Sequence, residues 1–317
     1  MKEKLFIGGY SNSIKVCEFD NGFLKIVNEV KDIENPSYLN INNNILYAIS
    51  ETKLGAVLSF KIEDINLKKI NSKILNESLP CYVSTNRSGT KLLTANFGSG
   101  SISMYELENG IIGKELVNKK YENSHMHYAD FANNAIYGID LANDVIYIYN
   151  ENMDTIYTIK TQINYGPRHA IMFDKYIFVV TELSNKILLY KIEDNDYKLI
   201  QEISTLKNEN ITSYAGAIKM SSDHKYIYVT NRGENTISVF SFFDEKLRLV
   251  QNISCFGDFP RDITLNENED FAVVANQKSN NLVVFKRNLE NGNLEKLNDT
   301  DFFIEKPSCI VRSKYEI

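Results

Sequence analysis

Apolar residues recur along this chain in short runs rich in Val, Ile, Phe and Tyr, divided by clusters of Asp, Asn, Ser and Gly. The stretch from Gly166 to Ile192 shows the unit most plainly. It predicts a short strand from His169 to Phe173, a strongly apolar strand from Tyr176 to Thr181, and a third from Ile187 to Ile192. Glu182-Leu183-Ser184-Asn185 forms the polar break before the third. No segment carries the apolar period of an amphipathic helix, and proline and glycine fall between the runs.

The unit repeats. Aligned on the short first strand, Pro36-Ser37-Tyr38, Pro80-Cys81-Tyr82, Met126-His127-Tyr128, Pro167-Arg168-His169, Ala215-Gly216-Ala217, Pro260-Arg261-Asp262 and Pro307-Ser308-Cys309 correspond. Successive starts lie 44, 46, 41, 48, 45 and 47 residues apart, the period of a four-stranded propeller blade. Each fourth strand reads as short and polar, as an edge that must not invite pairing. The last unit retains only a first strand, Ser308 to Arg312, and the N-terminus supplies the rest: Leu5 to Gly9, Ile14 to Phe19 and Leu24 to Val30. The expected fold is therefore all-β: a seven-bladed β-propeller of four-stranded antiparallel blades, its ring closed by N-terminal strands pairing with the C-terminal one. Residues 1–317 read as a single propeller domain.

Composition narrows the partners. A net charge of −6 argues against nucleic acid or an anionic membrane as the main partner. No apolar run reaches the roughly 20 residues of a spanning helix, and the start lacks a signal-peptide pattern. The four cysteines stand singly, which predicts free thiols in a cytoplasmic protein. A closed propeller needs no partner for stability, so a monomer or weak homo-oligomer is expected.

Within a blade, the start of the first strand and the end of the second lie at the same end. Those positions gather His125, His127, Arg168, His169 and Arg261 with Glu51, Asn96, Asp140, Glu182, Asn231, Arg232, Asn276 and Gln277. Imidazoles, guanidinium groups and carboxylates on one rim make the default small-molecule site. Other readings stay open: Asn96, Asp140, Asn231 and Asn276 equally suit turn caps, and Arg168-His169 could brace adjacent blades. Tyr38, Tyr82 and Tyr128 read as packing between blades, and His224 as a solvated turn residue. His125-x-His127 alone is too little for a metal site, and neither metal nor cofactor is expected.

At these rim positions the chain resembles the seven-bladed-propeller lactonase family, which includes bacterial 6-phosphogluconolactonases and resembles fungal muconate cycloisomerases. The resemblance rests on His125-Met126-His127 with Asp140-Leu141, Gly166-Pro167-Arg168-His169 with Glu182-Leu183, and Tyr228-Val229-Thr230-Asn231-Arg232-Gly233. Pro260-Arg261 with Val274-Ala275-Asn276-Gln277, and Lys306-Pro307-Ser308-Cys309-Ile310, complete it. Two positions depart. Ala217 stands where the family usually has an acidic residue, and Thr181 where an Asn usually precedes the Glu.

The resemblance implies hydrolysis of an anionic sugar lactone in carbohydrate metabolism. Such a site needs a general base and donors for an oxyanion. His169 or His127 is the expected base, oriented by Glu182, with Arg168 and Arg232 on the oxyanion or a substrate anion. His125, Asp140, Asn231, Arg261, Asn276, Gln277 and Glu51 are the expected substrate-binding residues. A non-catalytic binding propeller and a muconate-type cycloisomerase are the alternatives.

Overall fold

The computed structural model describes residues 2–194, 196–297 and 302–313. Among them the regular elements are all strands, and these form seven antiparallel sheets. We number the blades by their first strands in chain order, beginning at Leu39–Asn42, Pro80–Thr85, Met126–Ala132, Pro167–Phe173, Tyr214–Met220, Pro260–Leu265 and Pro307–Arg312. Blade four runs Pro167–Phe173, Tyr176–Thr181, Lys186–Glu193, Asp196–Ser204, the first three within two residues of the predicted strands. Blade seven has the predicted order: Pro307–Arg312, then Glu3–Gly9, Ser13–Asp20 and Phe23–Lys31.

The second strand of a blade is sealed on both faces. Tyr176–Thr181 and Tyr226–Arg232 are buried at every residue, which is why they read as continuous apolar runs instead of alternating ones. Phe178, Val180 and Leu189 of blade four pack with Ile218, Val229 and Phe240 of blade five. Tyr228, Val239 and Ala217 in turn meet Ile263, Val274 and Phe285 of blade six. Tyr47, Ile49 and Val57 do the same with Val83, Leu92 and Tyr105 of blade two. Blade-on-blade burial of β-branched and aromatic side chains thus supplies the core.

The fourth strands correct one expectation. They are polar but not short: Asn66–Ile74, Ile111–Lys120 and Lys246–Ser254 have 9, 10 and 9 residues. Alternating Lys, Asn and Glu hide their length. In blade six, among the described residues, Leu294–Lys296 and Phe302–Phe303 both pair with Asn281–Arg287. Edge pairing is discouraged by charge and by a bulge that recurs against the third strand, between Ser59 and Phe60, Met104 and Tyr105, Leu189 and Tyr190, and Val239 and Phe240.

Two backbone devices set where side chains point. Asn21-Gly22, Asn109-Gly110, Asn133-Asn134 and Asp244-Glu245 all have positive φ at both residues and close tight hairpins. Each of the five prolines follows a residue with positive φ: Asn35, Leu79, Gly166, Phe259 and Lys306. The chain divides into two compact units, one of Met1–Glu3, Phe19–Leu24 and Asn164–Ile310, the other of Lys4–Glu18, Lys25–Ile163 and Val311–Ile317.

Candidate active site

The first strand of five blades bulges just inside its start. The ladder slips between Pro80 and Tyr82, Met126 and Tyr128, Pro167 and His169, Ala215 and Ile218, and Pro260 and Asp262. Cys81, His127, Arg168, Gly216 and Arg261 are therefore the extra residues. A bulge releases its residue from the pleat and re-aims the side chain, so three of these five positions carry the basic groups picked out in the sequence.

In the unit containing Asn164–Ile310, Glu182 is the centre. Its Oε2 lies 3.0 Å from Arg168 Nε and 2.7 Å from Arg232 Nη2. The arginines are almost fully buried and the carboxylate is partly open, with side-chain exposures of 4%, 4% and 20%. Backbone carbonyls fix the forks: Arg168 Nη1 donates to Gly216 O at 2.8 Å, Arg232 Nε to Tyr214 O at 3.0 Å, and Arg232 Nη2 to Ala215 O at 2.8 Å. Gly216 must lack a side chain, since a Cβ would sit 2.6 Å from Thr230 Oγ1 and 3.3 Å from Arg232 Nε. Arg168 Nη1 also lies 3.3 and 3.4 Å from the two ring nitrogens of His169.

Burial pushes the Glu182 carboxyl up, but Arg232, Arg168 and Arg261 outweigh it and hold the group below the usual range. Burial, helped by repulsion from Arg168 and opposed by Glu182, draws the Arg232 guanidinium down to about 9, so it is charged at neutral pH. Two guanidinium groups thus share one carboxylate, and a third, Arg261, acts on it electrostatically. The cluster carries excess positive charge, and the Nη1 of Arg232 has no acceptor among the described residues.

Asp262, which the sequence reading passed over, is next along the strand from Arg261. It accepts from Ile263 N at 2.9 Å and Ile310 N at 2.7 Å, and burial raises its pKa against the pull of Lys219. A carboxylate inside an inner strand was the available signal.

Several expected ligand residues are turn braces instead. Asp140 is fully buried and accepts from the backbone of His125, Ala142 and Asn143 at 3.0, 3.2 and 3.2 Å. Asn231 is fully buried and reaches Thr205 O, Thr236 Oγ1 and Ser238 Oγ. Asn276 is fully buried and donates to Cys255 O. In this structure these three side chains hold the loops between strands, the turn-cap reading that the sequence left open beside substrate binding. Asn96 does similar work through Ser101 and Ser103. So does Thr181: its hydroxyl bonds Ser184 Oγ at 2.7 Å and accepts from Lys186 N at 3.0 Å. Glu182 engages the arginines; the expectation that it orients an imidazole gives way to this geometry. Gln277 is partly exposed, its N–H bonded to Phe259 O at 3.0 Å.

The unit containing Lys25–Ile163 holds the other candidates. Glu51 accepts from Tyr10 Oη at 3.0 and 3.2 Å and from Ser37 Oγ; neither Tyr10 nor Ser37 was singled out. His125 stacks on Phe97 at 4.2 Å with its Nδ1 3.0 Å from Phe97 O, and His127 meets the same ring edge-on at 6.0 Å. Tyr38, Tyr82 and Tyr128 pack on one another across blades with their rings tilted, at 4.2 and 4.6 Å between centroids. In the first unit His224 is not simply solvated but lies against Phe173 at 3.8 Å. Among the described residues the four cysteines are free and buried, no helix is long and apolar enough to cross a membrane, and no group of three His, Cys, Asp or Glu is placed to hold a metal ion.

With this geometry in place, comparison with known proteins is informative. The model of the family described as "Lactonase, 7-bladed beta-propeller" matches residues 4–312. A 6-phosphogluconolactonase of Bacillus subtilis is 30% identical, the match covering 87% of this chain and 86% of the relative. Another 6-phosphogluconolactonase, from Formosa agariphila, is 28% identical over 92% of this chain and 95% of its own length. Among solved structures, a protein from Lactobacillus plantarum superposes with a TM-score of 0.93 at 26% identity, covering 99% of this chain and 100% of that one. The chain belongs to the seven-bladed β-propeller lactonase family.

Proposed function

We propose that this member of the lactonase propellers hydrolyses an anionic sugar lactone, with 6-phosphogluconolactone, the substrate named in its relatives, as the leading candidate. The observation that carries the reading is the pair of buried arginines, Arg168 and Arg232, fixed on the one carboxylate of Glu182. Fixed guanidinium forks in a buried setting stabilise charge where it develops, at no cost in reorganisation during the reaction.

In the mechanism that follows, water attacks the lactone carbonyl and His169 takes its proton. The carbonyl oxygen becomes an oxyanion facing the N–H groups of Arg168 and Arg232. Collapse of the tetrahedral species breaks the bond to the ring oxygen, which leaves with the proton held on His169. Glu182 keeps both forks aimed and remains ionised throughout. Arg261 and Gln277 serve the substrate's polar groups. His127 is the other candidate base, and Glu51 the other candidate polar contact. Four free buried thiols suit a reducing cytoplasm.

The test is proton release from a panel of sugar lactones, phosphorylated and not, at neutral pH. Arg168→Ala and His169→Ala should each lower turnover at least about a hundredfold, the usual scale for one such group. Unchanged turnover in both variants would remove the assignment.

A further inference from the structure

We infer that Lys278 and Phe259 form a subsite for a phosphomonoester arm of the substrate, beside the arginine cluster. The inference rests on the lactonase reading for the identity of the sugar, though not for the presence of an anion. Phe259 precedes Pro260 and adopts φ 65. The corresponding turns place Asn35, Leu79, Gly166 and Lys306 there, so the left-handed residue before proline is a repeated feature of this fold. Like Leu79 and Lys306, Phe259 takes a conformation that a side chain larger than Asn adopts only where the surroundings enforce it; what sets it apart is what its ring touches.

The surroundings do enforce it. Phe259 N donates to Asn235 Oδ1 at 2.9 Å, Gln277 N to Phe259 O at 3.0 Å, and Lys278 N to Asp258 O at 3.0 Å. Asp258 N in turn donates to Ser279 Oγ at 2.8 Å. This stitching fixes the ring against two cations. The Arg232 guanidinium carbon is 5.4 Å from its centroid and the Lys278 ammonium 4.0 Å. The ring face attracts both charges and orders the flexible lysine.

Lys278 is exposed, and among the described residues its ammonium has no ion pair. The nearby Asp258 carboxylate accepts instead from Asn235 Nδ2 at 2.9 Å. The result is an ordered, unneutralised ammonium on the same ring as an arginine that already shares its only carboxylate with Arg168. A group bearing close to two negative charges, with three acceptor oxygens, matches that deficit. A neutral hydroxymethyl does not.

The experiment titrates the full chain calorimetrically with 6-phosphogluconate and with gluconate, then compares kcat/KM for the two corresponding lactones. The unaltered protein should bind the phosphorylated acid at least about tenfold more tightly, as one charge-assisted contact implies. Lys278→Ala should cut that preference severalfold. Phe259→Asn, which suits the left-handed turn, should do likewise with the fold intact, and Lys278→Arg should restore most of it. No preference in the unaltered protein, or the same preference in Lys278→Ala and Phe259→Asn, overturns the inference. If neither lactone is hydrolysed yet Lys278-dependent binding persists, the hydrolase reading falls and the subsite stands.

Discussion

Replacing Glu182 by Gln probes the centre of the cluster with almost no change in shape. Glu182 Oε2 is 3.0 Å from one guanidinium nitrogen and 2.7 Å from another. At an effective dielectric constant near 20, each contact is worth roughly 5–6 kcal/mol of Coulomb attraction. Desolvation of three buried charges and repulsion between the arginines offset much of the sum, so removing the carboxylate should cost about 3–5 kcal/mol of stability at neutral pH.

The pH dependence has a definite sign. The folded-state pKa of Glu182 is depressed below 4.5, so its contribution is present above that value and is lost as pH falls through the folded pKa. Urea unfolding of both proteins at pH 7 and near pH 3 should therefore show a large gap that shrinks in acid. Inorganic phosphate should stabilise Glu182→Gln more than the parent, because the variant leaves Arg168 and Arg232 without their shared counter-charge. A gap below about 1 kcal/mol at pH 7, or one that widens in acid, would refute this account of the cluster.

Two further outcomes follow from groups outside it. Burial lifts the Asp130 carboxyl to about 6 despite hydrogen bonds from Phe131 N, Tyr128 and Ser84; stability should fall as pH rises from 3.8 to about 6, and Asp130→Asn should abolish that slope in thermal unfolding. Asn231→Ala should lower stability by about 1–3 kcal/mol through loss of the hydrogen bonds its amide donates among Thr205 O, Thr236 Oγ1 and Ser238 Oγ, with KM for the lactone held within twofold if the side chain braces a loop and does not touch substrate.

The blade repeat was legible because second strands, sealed on both faces, stay apolar along their whole length, as at Tyr176–Thr181. Fourth strands were misjudged because an exposed edge needs no apolar signature: Ile111–Lys120 reads as a polar loop yet pairs over its length with Ser101–Glu108. Arg168, Arg232 and Glu182 stand out in the sequence by position alone, since charge at a strand end is a visible anomaly. Asp140, Asn231 and Asn276 are ambiguous in sequence because a turn brace and a ligand contact use the same residue types. Phe259, Lys278 and Tyr10 stayed hidden for a different reason. Their roles depend on side-chain directions set by left-handed turns and by hairpin exits, and neither leaves a mark in hydrophobic periodicity.

The recurring slip in the inner ladder has a consequence for how such a molecule diversifies. A residue standing outside the pairing pattern can be exchanged without breaking backbone bonds, so imidazole, thiol and guanidinium at His127, Cys81, Arg168 and Arg261 occupy interchangeable sockets on an unchanged frame. Gly216 is the exception, closed to any side chain by Thr230 and Arg232. New chemistry in this lineage should therefore arise by swapping the occupants of the open sockets, while the glycine stays fixed wherever the two arginines are kept.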